Sequence, residues 1–315
     1  MNNRRSFIVG IKSTKLLPRE KSFLKKYRPW GIILFTRNIK NISQASKLTS
    51  SIREIFNDNN YPILIDQEGG RVNRLENIIS FENLTSEYFG KKYVNNINEF
   101  KFYFKLFIDK TSYLLKSIGV NINTTPVLDL RVKGSSNIIG DRSFSNNPKI
   151  VSKIGDYCIK YFHENGIGTV IKHIPGHSLA KVDSHHLTPI VKKKLKYLLK
   201  NDFITFKNKK TFFAMTAHIV FSEVDKENTV THSKKMINLI RKKIGFKNIL
   251  ISDDLSMKSL KGSIKENTIK TFNAGCNLAL HCNGNFKEME IVGKNSPLIN
   301  NFISKKTSQF YKIIS

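Results

Sequence analysis

The sequence predicts a (β/α)8 TIM-type barrel. Eight short runs rich in Ile, Val and Leu recur along 315 residues, amphipathic stretches separate most of them, and polar or ionisable residues gather where the runs end. The runs are Ser6–Ile11, Gly31–Thr36, Pro62–Gln67, Asn121–Asp129, Thr169–His173, Ala214–Val220, Asn248–Asp253 and Leu278–Cys282. Such nearly continuous apolar runs suit parallel strands buried on both faces. Helices are expected over Ser43–Asn57, Glu99–Ile118, Pro148–Asn165 and Ser233–Ile244, with start signals at Asn147 and at His232–Ser233. Gly119, Gly166 and Gly245 stand where left-handed caps would end three of them.

A doubly wound open sheet is the rival architecture, but it needs a glycine-rich phosphate loop after the first strand. The nearest approach, Gly166-Ile-Gly168-Thr-Val-Ile171, precedes a strand and lacks the third glycine. With no linker, repeat or low-complexity tract in view, a single barrel domain over residues 1–315 is expected.

Charge points elsewhere at first sight. Lys and Arg number 53 against 24 Asp and Glu, a net +29 that invites a nucleic-acid or membrane reading. The excess is spread thinly along almost every expected surface helix. Its densest stretch, Lys192 to Lys210, reads as one helix and a turn, without a basic arm or DNA-binding motif. A solvated lysine-rich surface is the better account, and no specific nucleic-acid partner is expected. The three cysteines, Cys158, Cys276 and Cys282, show no C-x-x-C spacing and indicate neither a disulfide framework nor a zinc ribbon. The opening MNNRRSFIVGIKS has too short an apolar run for a signal peptide, and no stretch approaches the ~18 apolar residues of a membrane span. A cytoplasmic monomer is the default expectation.

Six of the eight run ends carry ionisable or hydrogen-bonding groups: Asp66, Gln67 and Glu68; Asp129; Lys172 and His173; His218; Asp253 and Asp254; His281. Charged groups directly after apolar runs are costly if buried without partners. In a barrel all these ends lie on one face, where the βα loops build a site.

Four segments stand out there: Ile65-Asp66-Gln-Glu-Gly-Gly-Arg-Val-Asn-Arg74, Gly140-Asp-Arg142-Ser-Phe144, Lys172-His-Ile-Pro-Gly-His-Ser-Leu-Ala-Lys-Val-Asp-Ser-His185 and Ile251-Ser-Asp253-Asp-Leu-Ser-Met257. Together with Gly31-Ile-Ile-Leu-Phe-Thr-Arg-Asn38 and Asn273-Ala-Gly-Cys276, they resemble the family 3 glycoside hydrolases in order, from about Gly31 to Asn283. The likeness is nearest to the bacterial β-N-acetylglucosaminidases of peptidoglycan recycling. It implies a retaining exo-hydrolase of terminal β-linked N-acetylglucosamine, acting on a small carbohydrate or muropeptide and needing neither cofactor nor metal.

By that resemblance Asp253 is the nucleophile. The chemistry agrees, since a carboxylate can attack an anomeric carbon and leave again as an ester when a partner acid/base stands near. Strand alternation turns Asp254 away from Asp253, and Asp254 reads as a cap at a strand–helix junction. The Asp183-Ser-His185 spacing matches the family's mobile-loop dyad. There Asp183 would orient and charge the His185 imidazole, which would protonate the leaving oxygen and then deprotonate water. The run from Pro175 to Pro189 has no apolar periodicity to anchor it and reads as a loop that swings over bound substrate. The family's sugar-binding positions fall on Asp66, Arg74, Arg142, Lys172 and His173. Arg71 reads as ordering the Gly69–Gly70 turn, and Met215 and Met257 as core filler.

Other readings meet obstacles. Zinc at His173, His177, His185 and His186 would need the first two to share a helix face, which Ile174-Pro175-Gly176 between them prevents. Gly176-His-Ser178-Leu-Ala180 imitates a serine-hydrolase elbow, but Pro175 precedes it and no helix can form directly after it. Three positions depart from the family pattern: Ser178-Leu179-Ala180 where a Gly-Asp-Thr-like stretch is usual, Asn277 where an acid is common, and Gly10-Ile-Lys12 in place of an acidic first strand. Within the family, a β-glucosidase or a phosphorylase is the enzymatic alternative, since a neutral His acid/base would not repel phosphate. Outside it stands a non-catalytic basic protein binding RNA or glycan.

Overall fold

The computed structural model describes residues 3–184 and 187–314. Eight parallel strands close into a barrel: β1 (Arg5–Gly10), β2 (Pro29–Leu34), β3 (Ile63–Ile65), β4 (Ile122–Asn123), β5 (Gly168–Ile174), β7 (Phe213–Thr216), β9 (Ile249–Asp254) and β10 (Leu278–His281). β10 pairs with β1, Ile8 opposite Leu280, and shuts the ring. A separate two-stranded parallel ladder, β6 (Ile190–Val191) with β8 (Val220–Phe221), sits apart from the barrel sheet.

The helices are α1 (Pro18–Tyr27), α2 (Ile42–Phe56), α3 (Ser86–Asn95), α4 (Ile97–Ser117), α5 (Pro148–Glu164), α6 (Leu195–Lys200), α7 (Lys234–Leu239), α8 (Ile264–Ala274), α9 (Phe286–Asn295) and α10 (Asn301–Ile314). The expected starts are present: Asn147 Oδ1 accepts from the Lys149 N–H, and the Ser233 side chain from the Met236 N–H. Gly119, Gly166 and Gly245 take φ of 75°, 68° and 84°, as left-handed ends require. The expected Ser233–Ile244 helix divides, because α7 passes into a wider turn over Ile240–Ile244. The lysine-rich stretch holds only the six residues of α6 and a tighter turn at Phe203–Phe206. Lys209 in it is buried rather than solvated, its Nζ donating to the Ser152 oxygens and Asp156.

Strand alternation explains why the runs lack polar positions. Ile8, Ile33, Leu64, Ile122, Val170, Met215, Ile249 and Leu280 fill the barrel interior. Their neighbours Phe7, Val9, Ile32, Leu34, Ile63, Ile65, Ile171 and Leu250 pack outward beneath the helices. α10 plugs one end. Trp30 Nε1 donates to Thr307 Oγ1 at 2.9 Å, and Phe310 lies so near Gly168 that a Cβ there would fall 2.5 Å from the ring. The other end, where the strands finish, stays open. β4 is shorter than expected because Pro126 has no N–H for the ladder; pairing resumes only as a bridge from Val127 to Lys172.

Candidate active site

The open end of the barrel holds a cavity of about 540 Å³. Asp66, Arg74, Arg142, Lys172, His173, Asp183 and Asp253 all line it, and so do Glu68, Arg71, His177, Met215 and Met257. Of the residues expected to act, His185 lies outside those described.

The floor is set by the segment after β3. Gln67 exchanges hydrogen bonds with the Asn123 side chain, and its own Oε1 accepts from the Arg74 and Leu75 N–H groups. That locks the turn which projects Asp66 and Glu68. Lys172, from the end of β5, points between the two carboxylates, with Nζ 2.7 Å from each. Thr124 donates to Asp66, and Arg74 stands 3.9 Å from its other oxygen. Burial opposes the charge on Asp66, but Lys172 and then Arg74 outweigh it and hold the carboxyl below its ordinary value. Glu68 is deeper and held well below the ordinary range: burial opposes its charge, while Arg142 and Lys172 favour it.

Arg142 meets Glu68 through two parallel bonds of 2.8 Å, from Nε and Nη2, while its Nη1 donates to the Ile138 carbonyl. Most of its donors are therefore spent within the protein, and a ligand would meet a Glu68–Arg142 pair rather than a free guanidinium. Arg71 does not order the Gly69–Gly70 turn. It reaches across the cavity mouth to Asp141 and to the carbonyls of Asn137, Ile138 and Ile139, fastening the loop that forms the far wall. Met215 and Met257 are buried, but each also presents a surface to the cavity.

A second network stands behind His173. Asp129, fully buried, accepts from His173 Nδ1 at 2.7 Å, from the His173 N–H, and from the His177 N–H at 2.7 Å. With Nδ1 engaged, Nε2 of His173 is the nitrogen left for the cavity. His177 is pushed down to about 4, chiefly by burial, so it is neutral at pH 7; its Nε2 meets Ser184. His173 and His177 rings lie 5.4 Å apart, and among the described residues no three His, Cys, Asp or Glu converge as metal ligands.

Asp253 closes the site from β9. Burial opposes its ionisation, yet His218, then His173, and the Asp254 N–H at 2.8 Å hold its carboxyl below the ordinary value. Asp254 is occupied differently. Its oxygens accept from the Ser256 N–H and Oγ and from the Cys282 N–H, which pins the β9 turn against β10. His218 is buried beneath them, bridging Thr231 and the Asp254 carbonyl. His281 departs from the expected convergence: it turns outward to Glu288 of α9 at 2.8 Å.

Part of the 175–189 loop has anchors that its lack of periodicity did not reveal, while Lys181, Val182 and Leu187 in it are exposed. His177, Ser178, Ala180 and Ser184 are buried. Ser178 is no nucleophile, because its Oγ donates to Asp202 and accepts from the Leu130 N–H at 2.6 Å, outside the cavity.

Over residues 9–306 the sequence matches the model described as glycosyl hydrolase family 3 N terminal domain. The chain belongs to glycosyl hydrolase family 3. It is 31% identical over 288 residues to a β-hexosaminidase of Nitrosomonas eutropha, covering 88% of this chain and 80% of that one. A β-hexosaminidase of Haemophilus influenzae is 30% identical over 286 residues, 88% of this chain and 79% of its own. Among solved structures, NagZ from Neisseria gonorrhoeae superposes with a TM-score of 0.88 at 29% identity, covering 98% of this chain and 90% of that one. The same protein in complex with N-trifluoroacetyl-D-glucosamine gives 0.87 at 28% identity, covering 99% of this chain and 90% of that one.

Family 3 membership sets the departures in context. Asn277 is one of the positions where the sequence departs from the resemblance's expectation of an acid. Its Oδ1 accepts from Arg241 and from the Leu250 N–H, so it joins α7's end to β9 far from the cavity. Gly10 stands in the first strand because the Cys282 carbonyl and the Arg37 guanidinium crowd it; a Cβ would fall 2.3 Å from that carbonyl. Glu68, Asp129 and Arg71 are among the residues at the site to which the sequence alone assigns no part in binding. Their only sequence signal was charge at a strand end or beside a glycine pair.

Proposed function

We propose that this family 3 chain is a retaining exo-β-N-acetylglucosaminidase, with anhydro-muropeptides as the natural source of its terminal sugar. The observation that supports it best is Asp253, lining a polar cavity with its carboxyl held below the ordinary value. Around it stand a carboxylate, an ammonium, a guanidinium and an imidazole suited to sugar hydroxyls. The relatives named β-hexosaminidase, and a structural neighbour holding an N-acylated glucosamine, support the choice of sugar.

In this reading Asp66, flanked by Lys172 and Arg74, accepts from the outer hydroxyls, and His173 donates or accepts through Nε2. Asp253 attacks the anomeric carbon as the glycosidic bond breaks, giving a glycosyl ester. His185 protonates the leaving oxygen and then takes a proton from the water that cleaves the ester. Asp183 lines the same cavity two residues earlier and orients the imidazole. A cytoplasmic setting fits the three free thiols, of which Cys158 and Cys276 are buried.

The test combines turnover with trapping. Hydrolysis of nitrophenyl N-acetyl-β-glucosaminide is expected to exceed that of the β-glucoside and to be unchanged by added phosphate. A slow fluorinated sugar should add its mass to the peptide carrying Asp253. His185→Ala should slow poor leaving groups far more than nitrophenol, which departs without a proton. A label on Asp254 or Glu68, or a rate that requires phosphate, would replace this reading.

A further inference from the structure

We propose that the outer face of α4 lies against anionic lipid bilayers and holds the protein at a membrane surface. This contact is independent of the glycosidase reading, and lipid binding rather than turnover tests it.

α4 buries one face and carries an apolar line on the opposite one. Phe100, Phe104, Ile108, Thr111 and Leu115 are buried. Successive residues turn by about 100° around the axis, which brings Phe102, Leu106 and Tyr113 within about 40° of one another, directly opposite that buried face. These three are 66%, 56% and 65% exposed. Helical rise makes their line about 17 Å long. Tyr103 stands beside it, and Val94 and Ile97, on either side of the turn leading into α4, are exposed as well. The adjacent α5 exposes Lys149, Lys153, Asp156, Lys160 and Glu164 instead, the polar outer face that a surface helix ordinarily shows.

The flanks of the line are basic. α3 and α4 carry six lysines against three acids, and each acid is already engaged. Glu87 pairs with Lys91 and Arg131, Glu99 with Lys92, and Asp109 with Lys105 while it also accepts from Asn165. Lys101, Lys110 and Lys116 form no ion pair among the described residues. By the same helical spacing Lys105 and Lys116 flank the line on one side and Lys110 on the other, its Nζ 5.8 Å from the Tyr113 ring. Aromatic and aliphatic side chains along a crest, with ammonium groups to either side, suit the headgroup region of an anionic bilayer. The apolar groups enter among the acyl chains while the lysines reach the phosphates.

The same features weigh against other occupants. Phe102, Leu106 and Tyr113 form a convex crest, whereas a small molecule or peptide is held in a concavity. A second copy would bring another +29 against a face whose own lysines outnumber its acids. Single-stranded nucleic acid needs successive rings to stack on, and Leu106 at the centre, like Val94 and Ile97 at one end, offers none. The contact is peripheral: no helix among the described residues is long and apolar enough to cross a membrane.

Vesicle flotation of the full chain is the test. At about 100 mM KCl the wild type should partition about tenfold more strongly onto phosphatidylcholine vesicles containing about 30% phosphatidylserine than onto phosphatidylcholine alone. The variant F102S/L106S/Y113S, which leaves the net charge at +29, should lose about tenfold of that partitioning. I269S/I291S, at exposed positions on α8 and α9, should bind as the wild type does. Tyr113→Trp gives a reading that survives any misfolding of the triple variant. The single native tryptophan, Trp30, is buried, so a blue shift of the added fluorescence and its quenching by brominated lipid report the crest itself. A wild type that ignores anionic vesicles overturns the inference, as does a folded F102S/L106S/Y113S that binds them fully, or Tyr113→Trp emission that lipid leaves unmoved. A wild-type dimer that the triple variant dissociates assigns the face to a second copy and also overturns it. Oligouridylate binding that the triple variant loses, without vesicle binding in the wild type, assigns the face to RNA with the same result.

Discussion

The side chain on which the site's electrostatics turn is Lys172, only 2% exposed and clamped between Asp66 and Glu68. Burial disfavours its charge, but the two carboxylates raise its affinity for the proton above the ordinary lysine value. The pairing is mutual, so removing the ammonium leaves two buried carboxylates facing one another with Arg142 and Arg74 as the remaining cations. Lys172→Met should therefore destabilise the fold by about 3–5 kcal/mol, measured by denaturant titration, because an uncompensated buried charge is costly. Asp66→Ala tests the other side of the contact. It should lower kcat/KM by about 10²–10³-fold while melting near the wild-type temperature, since Lys172 keeps Glu68. Near-normal turnover in that variant would mean that Asp66 does not touch the sugar. The sequence showed Asp66, Lys172 and Asp253 as charges at strand ends, and that much of the site could be read from one chain. It could not show that Arg142 is engaged by Glu68, 74 residues away, because that depends on how two loops meet.

At the scale of elements, the strands were legible because a barrel strand is apolar on both faces. The helix starts were legible because capping is local. The anchoring of the 175–184 loop was not, since Pro175 to Asp183 has no periodicity and its supports come from elsewhere. Those supports are the Leu130 N–H and Asp202, which Ser178 joins, with Gly176 so close that a Cβ would fall 2.5 Å from the Asp202 carboxyl. Asp202 is buried, and burial pushes its carboxyl up to about 7 against the opposing bond from Ser178. Between about 4, where the unfolded chain ionises, and about 7, only the unfolded state loses this proton. Stability from this group therefore falls as pH rises across that window, by up to about 1.4 kcal/mol per unit, and is constant outside it. His163, His177 and His232, pushed down to about 4 with burial as the leading cause, act in the opposite sense over much of the same range. The informative quantity is thus the difference between Asp202→Asn and wild type. The variant's stability relative to wild type should rise from pH 4 to pH 7 and then level off. A flat difference curve would show that Asp202 is ionised throughout.

Over the whole molecule, the dominant quantity is the +29 charge on 315 residues. Several of the acids are spent on specific partners: Asp66 and Glu68 on Lys172, Asp58 on Arg4, Asp156 on Lys209. Few remain to neutralise exposed lysines such as those around α6, so the surface repels itself in the folded state and less so when the chain expands. Screening weakens such repulsion over about 10 Å at 0.1 M ionic strength, a distance comparable to the spacing of neighbouring surface charges. The short buried pairs around Lys172 are screened much less, because solvent ions cannot come between their partners. Salt should therefore relieve the repulsion and leave the attraction. The melting temperature is expected to climb as KCl rises from about 10 to about 300 mM, with most of the gain complete near 150 mM. Matched ionic strengths of chloride and sulfate separate screening from anion capture: screening gives the same curve for both, whereas capture makes sulfate far stronger at low millimolar concentration. A melting temperature that falls with salt would mean that attractive surface pairs outweigh the net repulsion and that the lysines are arranged against the acids more closely than their numbers suggest.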